Sequence, residues 1–169
     1  AYLAAATSHA LLYRFESSAS LTKRGIELCN DDATLCSLLC VRGESLTHMG
    51  DTEAAIDSFT MALSKSPPLE LRYDASIGLA NAFRISDHRD SALEALSEAQ
   101  KIAETLDIAE KLAQSHYLRG NILFPTGDYT RCLAEHERAL QLYQKAGSSQ
   151  GEARALGGVG DAYYLQGRM

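Results

Sequence analysis

Cys36 and Cys40 lie four residues apart, a spacing that puts both thiols on one face of a helix, where two sulfurs could hold a metal ion. Two thiols with no nearby histidine and no second cysteine pair make only half a zinc set, so packing as small apolar side chains is the stronger reading. Glu135-His136-Glu137 joins an imidazole to two carboxylates, the groups used in acid–base chemistry. Gly157-Gly158-Val159-Gly160 has the glycines of a phosphate loop, but no strand precedes it and no Lys-Ser or Lys-Thr pair follows. His48, His88 and His116 are isolated, and no serine–histidine–aspartate set or carboxylate pair stands out. The sequence therefore points to no enzyme, no metal and no cofactor.

The elements that carry these residues are helical. Apolar periodicity places helices at 2–13, 16–28, 34–48, 51–65, 69–85, 89–105, 108–124, 128–145 and 149–166. Pro67-Pro68 stops the fourth and Pro125-Thr126-Gly127-Asp128 the seventh, because proline cannot donate into the helix ladder. Asp51, Asp128 and the Ser86–Asp90 stretch are placed to cap the helices that follow. No linker or low-complexity segment interrupts the 169 residues, which read as a single domain.

Charge and composition exclude several partners. The net charge is −6 and the basic residues are scattered along the chain, so no patch is visible to neutralise nucleic-acid phosphates. No apolar run reaches the length of a membrane span, and Ala1–Ala6 lacks the charged flank of a signal peptide. Cys29, Cys36, Cys40 and Cys132 suggest no disulfide framework, so a reduced, cytoplasmic setting is expected. The first residue is not methionine, which fits a segment of a longer protein.

A repeat runs through the chain. Small residues recur at Ala6, Gly43, Ala80, Gly120 and Gly160, at intervals of 37, 37, 40 and 40. Twelve residues beyond the first four come Ser18, Ala55, Ala92 and Cys132, and seven further on Gly25, Ala62, Ala99 and Ala139. Small side chains in this register let paired helices approach closely, as in stacked hairpins.

The second repeat reads Leu39, Gly43, Leu46, Gly50-Asp51, Ala55, Phe59, Ala62 and Pro67, and in this it resembles the tetratricopeptide family at its eight signature offsets. The resemblance covers essentially the whole chain and implies an all-α, right-handed superhelical solenoid of antiparallel hairpins, about nine helices. The repeats fall at about 1–33, 34–68, 69–107 and 108–148, with a final half repeat at 149–169. His9, Thr22, His116 and His136 stand where that family prefers large apolar residues, so His136 is expected in the core or half-buried. The 40-residue spacing resembles a subclass with longer helices. The runs Tyr117–Asp128, Cys132–Glu137 and Gly151–Asp161 are similar to the repeat region attached to bacterial class III adenylate or guanylate cyclases.

In such proteins the first helix of each hairpin lines a concave groove, which implies a binding surface here. The candidate residues are Glu44, Ile77, Asn81, Arg84, Tyr117, Asn121, Phe124, Asp161 and Tyr164, with Arg154 and Gln114 at its edge. Related grooves use asparagine at the Asn81 and Asn121 positions to hold the backbone of an extended peptide. Ile77, Tyr117, Ile85 and Pro125 replace the lysines of a carboxylate clamp, which disfavours that mode. The expected partner is a protein or peptide segment with apolar side chains and some acidic character. The chain then reads as the interaction or scaffolding part of a larger bacterial signalling protein. The competing reading is a spacer or self-association arm, since the final helix leaves Leu156, Val159 and Tyr163 with no following helix to cover them.

Overall fold

The computed structural model describes residues 1–167, and among these the only regular structure is helical. The α-helices are α1 (Tyr2–Leu11), α2 (Phe15–Glu27), α3 (Asp32–Met49), α4 (Thr52–Ser64), α5 (Leu69–Ile85), α6 (Arg89–Leu106), α7 (Ala109–Leu123), α8 (Tyr129–Ala146) and α9 (Ser149–Leu165). A 3-10 turn at Phe124–Thr126 links α7 to α8. Each helix expected from the sequence is present, with ends that differ by at most two residues. None is long and apolar enough to cross a membrane.

Local chemistry sets the ends. Asp51 and Asp128 accept from the backbone N–H of Ala54 (3.3 Å) and Arg131 (3.1 Å), capping α4 and α8 as their positions suggest. Asp31 does the same for α3, through Thr34 at 2.8 Å. Ser86 departs from expectation: its hydroxyl turns back to the Ala82 carbonyl at 3.0 Å, serving the end of α5 and not the start of α6. Gly50 and Gly127 close α3 and the 3-10 turn with φ of +83° and +77°, where a side chain would be strained.

The chain divides within α6 into two compact units, Ala1–Ala95 and Leu96–Met169. In the first unit each helix from α1 to α5 packs on the next, and first helices also meet across hairpins, α1 on α3 and α3 on α5. In the second, α8 packs on α7 and α9, and α7 touches α9. The centre of the first unit is Phe59 of α4, 0 % exposed, amid Leu39, Cys40, Leu46, Ala55, Ala62, Ala75 and Ala82. Its ring lies between two backbones. A Cβ on Gly43 would come within 2.6 Å of the ring, and one on Gly78 would overlap it.

The second unit repeats the device with a different ring. His136 of α8, 1 % exposed, sits between Gly120 of α7 and Gly158 of α9, and a Cβ on either would approach the imidazole to 2.6 Å. Thr22, Phe59, Leu96 and His136 share one repeat register and are all fully buried. In the register of Gly43 and Gly120, Gly160 would meet the second helix of its own hairpin, which the 169 residues do not include; against α8 the contact falls to Gly158, which stands in α9 where Gly78 stands in α5. Nothing lies within 4 Å of a Cβ at Gly160, and Gly158 makes the contact. Val159 and Tyr163, expected to lack cover, pack against Leu123, Cys132, Leu133 and Ala162.

Two outcomes follow for the second unit. Gly158→Ala should cost about 1–3 kcal/mol by crowding the His136 ring, whereas Gly160→Ala should stabilise by up to about 1 kcal/mol through helix propensity; urea unfolding midpoints compare the two. The opposite ranking would mean that Gly158 is not the contact.

Burial lowers the His136 pKa below its ordinary 6.5, outweighing the opposing charges of Asp161 and Glu135. The folded state therefore favours the neutral ring, and the unfolded chain takes up the proton first as pH falls. Stability should drop as pH moves below 6.5 and stay level above it. His136→Phe, which copies the Phe59 arrangement, should flatten that part of the profile in thermal melts across pH.

Candidate functional site

The core consumes the second helix of each hairpin, and the first helices keep a face that packing does not use. In the unit Ala1–Ala95 that face carries Glu44 on α3 and Asn81, Arg84 and Ile85 on α5. Ile77 is only 8 % exposed and belongs mostly to the core. Cys40 and Thr47, on the same helix as Glu44, are buried, and Thr47 donates to the Gly43 carbonyl at 2.8 Å. His48 stacks on Phe15, with ring centroids 4.4 Å apart.

Asn81 and Arg84 form one group. The Asn81 Oδ1 accepts from Arg84 Nε at 3.1 Å and Nη2 at 2.9 Å, so its amide has only the NH2 to offer a ligand. Glu44 is open to water yet crowded by protein, the signature of a recess. Burial pushes its carboxyl above the ordinary 4.5, and the like charge of Asp74 adds to the shift. Burial also drives the Cys40 thiol up to about 12, with Glu44 and Asp74 contributing. A thiol held so firmly protonated is a poor metal ligand, and Cys36 is shifted in the same direction by burial.

In the unit Leu96–Met169, Tyr117 is half-buried against Ala113, Ala139, Tyr143 and Ala155, with its ring 5.5 Å from that of His136. Phe124 packs against Leu123, Cys132, Leu133 and Ala162 and meets Tyr129 edge-on, so it serves the α7–α8 turn. Asn121 differs from Asn81. The residue three positions on is Phe124 and not an arginine, and the half-buried amide makes no side-chain hydrogen bond among the described residues. Asp161 is exposed, with its charge felt by Cys132 and His136. Tyr164 is 62 % exposed. Arg154 lies at another edge, close enough to Tyr143 for its charge to act on the phenol.

Sequence reasoning missed several partners. His116 Nδ1 lies 2.7 Å from Glu135 Oε2, joining α7 to α8. Their separation of 19 residues matches no helical spacing, so only the folded hairpin shows the pair. Asp74 reaches the Glu44 recess from α5, and Ser148 reaches Glu110 across 38 residues.

Comparison with known proteins agrees with this architecture. Residues 111–169 match the family model of the tetratricopeptide repeat. No curated protein matches the chain. Among solved structures, a Rap protein complexed with Competence and Sporulation Factor superposes with a TM-score of 0.86 at 18 % identity, over 99 % of this chain and 48 % of that one. BtubC (BKLC) from P. vanneervenii gives 0.76 at 19 % identity, over 96 % and 70 %. TTC0263, a thermophilic tetratricopeptide protein in Thermus thermophilus, gives 0.66 at 16 %, over 99 % and 91 %. The chain thus spans about half the length of the Rap protein it superposes on. At these identities the likeness shows the fold, an all-α array of tetratricopeptide-type hairpins.

The Glu44 recess has a measurable consequence. Because the folded state raises the carboxyl pKa, ionisation above that value opposes folding, and below 4.5 both states are protonated and the penalty is gone. Glu44→Gln should therefore raise the melting temperature at neutral pH, with the gain vanishing as pH falls to 4.5. An unchanged melting temperature at neutral pH would show that water screens the recess completely.

Proposed function

We propose that this chain is a protein-interaction module whose first helices present the partner-binding face. The observation that carries the reading is Asn121: a half-buried amide on α7 with no side-chain hydrogen bond among the described residues, able to give one hydrogen bond and accept another. Such a group suits the backbone of an extended segment. The other groups of the reading are Tyr117, Phe124, Asp161, Tyr164 and Arg154 in the same unit and, on the other unit's own first helices, Glu44, Ile77, Asn81 and Arg84. Aromatic and arginine anchors among polar groups are the usual makings of a binding hot spot.

The comparisons support this without identifying the partner. A Rap protein of the same fold is complexed with Competence and Sporulation Factor, and by analogy this chain takes a protein or peptide segment. The repeat family matched at residues 111–169 extends, in this reading, over the remaining hairpins as well. The module serves as the regulatory or scaffolding part of a larger bacterial signalling protein in the cytoplasm, similar to those that carry cyclase domains. It performs no catalysis of its own. A second reading, self-association through α9, draws on the exposure of Leu156, Tyr164 and Leu165 there.

Affinity capture from a lysate of the source cell, followed by titration of the purified partner, tests the first reading. Asn121→Ala should weaken binding by about tenfold, and Asn81→Ala less, because Arg84 already occupies the Asn81 oxygen. Circular dichroism melts should match the parent for both. Equal capture by parent and Asn121→Ala would move the site off this face. A mass that rises with concentration in light scattering, with no partner captured, would favour self-association.

A further inference from the structure

A polar pocket of about 270 Å³ opens in the unit Leu96–Met169, where the start of α9 meets the start of α7 and the end of α8. Tyr143 forms part of its wall. The residue is only 4 % exposed, and its ring lies so close under α9 that a Cβ on Gly151 would overlap it. Its hydroxyl lies where the charges of Arg154 and Glu110, both in the pocket lining, act on it, and it makes no hydrogen bond among the described residues. A buried tyrosine normally pairs its hydroxyl, so an unpaired one in the wall of a cavity points to a ligand that supplies the acceptor.

The rest of the lining is arranged for an acceptor too. Ser148, which begins α9, does not cap it, because its hydroxyl donates to Glu110 Oε1 at 2.8 Å. Ile108, which begins α7, has no side chain able to cap. The first-turn N–H groups of two helices therefore border the pocket with no side-chain acceptor, adding partial positive charge there. Arg154 lines the same space, and the one carboxylate of the lining, Glu110, already accepts from Ser148. Burial raises the Tyr143 phenol to about 12, with Arg154 opposing, so the hydroxyl stays a donor at any working pH.

We propose that this pocket is a carboxylate site that receives an acidic side chain of the segment bound by the module. The Arg154 guanidinium pairs with the carboxylate, the Tyr143 hydroxyl donates to one oxygen, and backbone N–H groups at Gln150 and Gly151 donate to the other. The inference rests on the interaction reading and adds the chemistry that the partner presents.

The test uses the full chain, labelled with nitrogen-15. The probe is N-acetylglutamic acid α-amide, which carries a single carboxylate, and the control is the neutral glutamine analogue at equal ionic strength. The acidic probe should shift the Gln150 and Gly151 amides saturably and the neutral one should not. Arg154→Gln and Tyr143→Phe, which change an exposed side chain and a single hydroxyl, should each weaken the probe by about tenfold. No saturable shift, an equal response to the neutral probe, or indifference to Arg154→Gln would overturn the proposal. So would inorganic phosphate moving these amides when the acidic probe does not. Partner capture without carboxylate binding would remove the pocket alone, and carboxylate binding without capture would support the pocket while removing the interaction reading.

Discussion

A side chain wedged between two glycine-bearing backbones is the contact on which each unit depends. Phe59 lies between Gly43 and Gly78, and His136 between Gly120 and Gly158. A helical glycine costs about 1 kcal/mol relative to alanine, and burying a large ring gains about 1.5–3 kcal/mol, so the arrangement is favourable only because the ring fills the space that the missing Cβ atoms leave. The second helix of a hairpin is thereby locked to the first helices on either side. Thr22 and Leu96 hold the same register with smaller side chains, and the buried Thr22 hydroxyl is satisfied locally by the Ala19 carbonyl at 2.9 Å.

This division of labour creates the surface. Once α4 and α8 are committed to wedging, the outer faces of α3, α5, α7 and α9 are left to polar and aromatic residues. What those residues can offer is then decided over one helical turn. Arg84, three residues after Asn81, occupies the Asn81 oxygen, while Phe124 at the same offset from Asn121 turns into the core and leaves that amide open. Two asparagines in equivalent repeat positions thus differ in binding capacity because of a neighbour, not because of their own placement.

Electrostatics divides the candidate surface by chemistry. The Glu44 recess gathers a second carboxylate and pushes proton affinities up, so it disfavours further negative charge. The pocket beside Tyr143 sets Arg154 beside uncapped helix starts, and its one carboxylate already accepts from Ser148. His136 adds a different tension. It fills a slot suited to an apolar ring while keeping a buried Nδ1 with no partner, which a folded core tolerates only at a cost.

The helices, their ends and the stacking of hairpins were legible in the sequence, because proline, aspartate caps and the spacing of small residues act locally and recur. So was the burial of His136, since a repeat register predicts burial whatever residue occupies it. The candidate face was legible only as a set of positions. That the glycine two residues before the register position, Gly78 in α5 and Gly158 in α9, meets the ring of the preceding hairpin depends on how the helices lie against each other. The pairing of His116 with Glu135 and of Ser148 with Glu110 was decided by tertiary structure alone. These contacts join residues on different helices, 19 and 38 residues apart and far beyond any helical spacing, so only the packed hairpins bring them within hydrogen-bonding range.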